Sequence, residues 1–72
     1  MKMTVRVEWY DNFKGIGIAK TTRGKEVFLN STNIVENFDK VSILNKSDIL
    51  DCEITEIGGY LIASRIEKIF SH

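Results

Sequence analysis

Proline is absent from this chain, cysteine and histidine occur once each, and the formal net charge is zero. The lone Cys52 excludes an internal disulfide, and together with the terminal His72 it falls short of a structural zinc set. No apolar run approaches the roughly 18 residues of a membrane span, and no signal-peptide pattern opens the chain, so a cytoplasmic location without membrane association is expected. Nothing supplies an activated nucleophile, a paired acid and base, or a ligand cluster, so no enzyme activity, metal or cofactor is expected. Gly15-Ile16-Gly17 is not a phosphate loop, because it lies inside an expected strand and lacks the glycine-lysine-hydroxyl ending. What remains is a 72-residue chain, 43% apolar, which suits one domain over residues 1–72 with a small core and argues against disorder.

The zero net charge conceals an asymmetry. Residues 1–25 hold six bases (Lys2, Arg6, Lys14, Lys20, Arg23, Lys25) and two acids (Glu8, Asp11), a balance of +4, and the remainder balances at −4. A neutral protein gets little long-range steering toward phosphate, yet a locally basic first hairpin can contact a backbone. The alternative is a mixed, solvated surface.

Period-two alternation dominates the chain, and no helical stripe of useful length occurs. Strand one covers about Met3 to Asp11, with Met3, Val5 and Val7 on one side and Thr4, Arg6 and Glu8 on the other. Strict alternation puts Trp9 on the valine side, so an exposed Trp9 requires a bulge or sharp twist. Asp11 and Asn12 supply turn chemistry. Strand two, about Lys14 to Thr21, sets Gly15, Gly17 and Ala19 inward and Ile16, Ile18 and Lys20 outward; small inner residues suit a narrow, coiled barrel. Strand three, Glu26 to Asn30, buries Val27 and Leu29 and exposes Phe28 and Asn30, and Ser31 and Thr32 then cap a helical turn around Thr32 to Val35. A polar crossover loop leads to strand four, about Leu50 to Ile57, which buries Leu50, Cys52 and Ile54. Gly58-Gly59 makes a two-residue hairpin into strand five, Tyr60 to about Ile69. The expected fold is therefore all-β: a five-stranded antiparallel barrel of the oligonucleotide-binding (OB) type, with a short helical turn after strand three.

Val7-Glu8-Trp9-Tyr10, Lys14-Gly15-Ile16-Gly17-Ile18 and Val27-Phe28-Leu29-Asn30-Ser31 carry a resemblance to the cold-shock domain family. That family opens with valine-lysine-tryptophan-phenylalanine, continues with lysine-glycine-aromatic-glycine-aromatic, and later has valine-phenylalanine-valine-histidine-phenylalanine. The resemblance covers about Thr4 to Ile69. It implies a single-stranded nucleic-acid binder, in which exposed rings stack on bases and basic residues follow the backbone. Carried over by position, the binding residues are Trp9, Tyr10, Lys14, Ile16, Ile18, Phe28, Asn30 and Phe38. Ile16 and Ile18 replace two rings, Asn30 replaces the histidine, Ser31 replaces the last phenylalanine, and Glu8 reverses a charge.

Stacking contributes about 1–3 kcal/mol per base, so losing two to three rings costs on the order of 2–6 kcal/mol. At about 1.4 kcal/mol per tenfold, weak single-stranded RNA or DNA binding is expected, on the order of micromolar or worse. The cellular role the resemblance implies is an RNA chaperone or a transcription or translation modulator. The alternative is a protein-interaction module, in which Trp9, Ile16, Ile18 and Phe28 form an apolar patch rimmed by Glu8, Asn30 and Ser31; such a patch, or a barrel edge, also permits a homodimer in place of a monomer. Phe13, at the turn, is expected to pack locally, Tyr60 to close the last hairpin, and Cys52 to be a core thiol. Abundant lysine, asparagine and isoleucine fit an AT-rich coding genome, bacterial or phage.

Overall fold

The computed structural model describes residues 1–35 and 43–70. Five strands, β1 (Lys2–Asp11), β2 (Ile16–Lys20), β3 (Glu26–Asn30), β4 (Ile49–Ile57) and β5 (Tyr60–Phe70), close into a barrel in the order β1-β2-β3-β5-β4. The all-β, OB-like barrel expected from the alternation is present. Among the described residues, no helix is long and apolar enough to cross a membrane.

One pairing departs from the antiparallel expectation: β3 and β5 run parallel, with Val27 opposite Leu61 and Phe28 opposite Ile62. The reason is topological. A ring of five strands cannot alternate direction all the way round, so one neighbouring pair must be parallel, and the long β3–β4 crossover is the connection that makes it so.

The interior is the inner row of each strand. Val5 and Val7 from β1, Ala19 from β2, Val27 and Leu29 from β3, Leu50 and Cys52 from β4, and Ala63 and Ile66 from β5 are buried together, joined by Leu44 from the crossover. Cys52 is the expected core thiol; burial, with Asp51 and Glu53 on either side in sequence, pushes its pKa up to about 11. Gly58 and Gly59 both have positive φ, 57° and 85°, in the hairpin that pairs Ile57 with Tyr60. That handedness matches the strand twist, which is why this dipeptide signals a hairpin so strongly.

Two local expectations are corrected. The helical turn is a single 3₁₀ turn at Ser31–Asn33, and its cap is Asn30, whose Oδ1 accepts from the Thr32 N–H at 3.0 Å. Asn30 keeps extended angles, which is what a capping residue requires, so Ser31 falls inside the turn. Lys14 and Gly15 lie in the β1–β2 turn and not in β2. The Asp11 carboxylate captures the N–H groups of Phe13 and Lys14, and Gly15 turns to φ 72°, so the ladder resumes only at Ile16.

One buried charge was not anticipated. Asp48 is fully buried beneath the barrel end, where its Oδ2 accepts from the Asn45 N–H at 2.8 Å and lies 3.4 Å from Lys68 Nζ. Lys68 also donates to the Ile43 carbonyl at 2.7 Å. The pair ties the end of the crossover to β5, and the backbone of Asp48 and Ser47 holds both polar groups of Val7.

Candidate nucleic-acid interface

The site begins with a bulge. Val7 pairs with Ala19, but the next matched pair is Trp9 with Ile18, leaving Glu8 as the extra residue of β1. The added residue reverses the alternation, and Trp9 leaves the valine side and faces out, 47% exposed. This is the feature that strand periodicity alone could not show.

With that shift, side chains from three strands fall in one line: Trp9, Ile18 and Phe28 are successive cross-strand partners. Phe28 is 40% exposed, and Ile18 is half-buried between the two rings. Ile16, also exposed, lies two residues along β2 on the same face, in a second row with Asp11 and Asn30. The four residues Trp9, Ile16, Ile18 and Phe28 therefore share one outward surface.

Tyr10 does not join them. The bulge that turns Trp9 out turns Tyr10 in, and it packs against the core opposite Gly17. A Cβ on Gly17 would lie 2.7 Å from Tyr10 Cδ1 and 2.8 Å from its Cα, so only glycine leaves room for this inward side chain. The Tyr10 hydroxyl is buried with no hydrogen bond to a described group. Burial raises its pKa, with the Ser31 side chain opposing the shift and the Asp11 charge adding to it. Tyr10 is thus half-buried against the core and stands apart from the Trp9 row, where the expectation had set it beside Trp9.

The remaining expected residues divide. Asn30 is exposed at the edge of the face, but its carboxamide oxygen accepts from both the N–H and the hydroxyl of Thr32, leaving the amide nitrogen for a ligand. Lys14 is exposed at the hairpin tip. Phe38 lies outside the described residues. Glu8 borders the face as expected, and its charge is met by Lys20 at 3.4 Å, so each blunts the other's effect on a phosphate.

One aromatic residue belongs to this surface that the alternation did not assign to it, and a second is exposed away from it at the hairpin tip. Tyr60, 62% exposed, meets Phe28 edge to face with ring centroids 5.7 Å apart and an interplanar angle of 63°. Its partner across the hairpin, Ile57, is also exposed, so the apolar line continues onto β4 and β5. The parallel β3–β5 register creates this contact, and no local signal in the sequence specifies that register. Phe13, expected to pack locally, is 99% exposed at the tip of the first hairpin. A turn residue obeys no alternation rule, so its direction is legible only once the turn is built.

Among the described residues, no group of three or more histidine, cysteine or acidic side chains is placed to hold a metal. The chemistry the surface offers is flat aromatic and branched aliphatic contact, with Lys25, Glu26 and Glu56 around the Phe28–Tyr60 groove. In comparison with known proteins, the chain matches no protein-family model and no curated protein sequence.

Proposed function

We propose that this barrel is a divergent cold-shock-like domain that binds single-stranded RNA or DNA weakly through the Trp9–Ile18–Phe28 face. The observation that carries the reading is the Glu8 bulge, which exposes Trp9 in line with Phe28 across three strands. Exposed rings lined up across a sheet offer every base a flat, polarisable partner, which is how sequence-tolerant binding is achieved. Lys14 and the basic balance of the first 25 residues provide local attraction for a backbone.

Weakness follows from the same residues. Ile16 and Ile18 give apolar contact without the geometry of a ring, Tyr10 faces the core, and Lys20 is paired with Glu8. Three rings, Trp9, Phe28 and Tyr60, remain on the face, consistent with affinity on the order of micromolar. A role in RNA chaperoning or in modulating transcription or translation follows from the resemblance.

Trp9 is the single tryptophan, so its fluorescence reports the face without ambiguity. Titration with oligothymidine should quench the indole, and the effect should weaken from low to moderate salt. No quenching at high micromolar ligand removes the proposal.

A second reading is a protein-docking surface, favoured by the continuity of Ile57, Tyr60, Phe28, Ile18 and Trp9 as one apolar line with Glu8, Glu26 and Asn30 along its borders. An apolar centre with a polar rim suits a protein interface. Under this reading, charged substitutions at Trp9 and Ile18 abolish capture of a partner or a homodimer, and oligothymidine leaves the indole unchanged.

A further inference from the structure

Phe13 is the most exposed large apolar side chain among the described residues, yet the turn that carries it is held by several hydrogen bonds. One oxygen of Asp11, Oδ1, accepts from the N–H of Phe13 at 2.9 Å and from that of Lys14 at 3.0 Å. The Gly15 N–H donates to the Asp11 carbonyl at 2.7 Å, and the Gly15 carbonyl accepts from the Ser31 N–H at 2.8 Å. The Asn12 side chain exchanges two hydrogen bonds with the Leu44 backbone, at 2.9 and 3.0 Å. The turn is thus anchored to its own strand, to the 3₁₀ turn and to the crossover, while the ring it carries stands in solvent.

A single exposed apolar residue needs no explanation by itself. A bare ring on a fixed support is different, because its backbone is already ordered and a partner loses little entropy in using it. The next residue, Lys14, is exposed and makes no ion pair among the described residues, in contrast to Lys20. The Asp11 carboxylate is engaged through Oδ1 by two N–H groups of the turn, which offsets part of its charge toward a phosphate. An aromatic face beside an available ammonium matches an unpaired base with its phosphate.

We infer that Phe13 and Lys14 form an additional nucleotide subsite at the tip of the β1–β2 hairpin, Phe13 stacking on an unpaired base and Lys14 contacting its phosphate. This inference rests on the nucleic-acid reading of the Trp9–Phe28 face. Two residues of extended strand, about 7 Å, separate Trp9 from Asp11, and the turn lies just beyond, so a strand seated on the face reaches the tip only when it is long enough. The subsite therefore acts through oligonucleotide length.

The test compares labelled oligothymidines of about four and about eight nucleotides, the lower range for one barrel of this type, by anisotropy with the full-length protein. Phe13→Ala should weaken binding of the longer strand about tenfold and leave the shorter one unchanged, and Phe13→Trp should retain the parent affinities. Lys14→Gln should lower the salt slope for the longer strand by about one. Because the Phe13 ring is solvated in the folded protein, Phe13→Ala should leave the melting temperature in place. If Phe13→Ala binds both lengths as the parent does while Trp9 is still quenched, the tip lies outside the site and the inference fails alone. If the parent binds neither length, the reading of the face fails and the subsite with it. If affinity is unaltered and Phe13→Ala instead lowers the sedimenting mass at high concentration, the ring docks on a second copy and the inference is overturned.

Discussion

Trp9 stands opposite Ile18, one place off the register that Val7 and Ala19 begin, because Glu8 is inserted between them. That single extra residue has three consequences. Trp9 is carried to the outer surface, Tyr10 is carried inward against the core, and Glu8 itself comes within 3.4 Å of Lys20. The outer face and part of the inner packing therefore depend on the same local irregularity of β1.

Ile18 lies between the Trp9 and Phe28 positions, so a ring there should complete an unbroken aromatic row. Ile18→Phe is expected to tighten oligothymidine binding about tenfold, the contribution of one stacked base. Adding Glu8→Lys releases Lys20 and should steepen the salt dependence as well. Equal affinity for parent and double variant, measured by titration at fixed salt, would mean that the ligand does not use this row.

Arg65 holds φ at 49°, inside β5 where the register slips so that Ser64 to Glu67 face only Glu53 to Asp51. Left-handed backbone is costly for a residue with a Cβ and nearly free for glycine. Arg65→Gly should stabilise the fold by about 1 kcal/mol, raising the melting temperature by about 4–8 °C for a domain of this size. A lowered melting temperature would show that the arginine side chain contributes more than its backbone costs.

The buried Cys52 thiol gives the stability a defined pH dependence. Its pKa rises from the ordinary 9.0 to about 11 on folding, so the folded state holds the proton more tightly. The contribution of this thiol is fully present below about pH 9 and is lost as pH rises through about 11, by roughly 2–3 kcal/mol in total. Tyr10, also raised, acts in the same direction at higher pH. Denaturant midpoints should fall over this interval in the parent and fall less in Cys52→Ala, and identical profiles would contradict the assignment.

Much of the barrel was legible because one-sided burial imposes strict alternation. Val5 and Val7, Val27 and Leu29, and Leu50 and Cys52 are buried as their spacing requires, and Gly58-Gly59 makes the turn its chemistry specifies. The outward cluster of Trp9, Ile16, Ile18 and Phe28 was legible only on condition of a bulge, since alternation by itself assigns Trp9 to the core. Tyr10 was misplaced for the same reason. Tyr60 depends on a parallel register set by the closure of the ring, and Asp48 on a lysine that reaches it from β5; both are tertiary relations with no local pattern. Phe13 and Lys14 sit in a turn whose shape is set by one carboxylate, which hydrophobic periodicity does not read.

The most direct measurement is the map of backbone amide and Trp9 indole shifts by nuclear magnetic resonance as oligothymidine is added. The account predicts that the largest changes fall on Trp9, Gly17, Ile18 and Phe28, with smaller ones at Tyr60 and the turn at 12–15. Changes confined to the acidic β4 stretch around Asp51 and Glu53, or no changes at millimolar ligand, would contradict it.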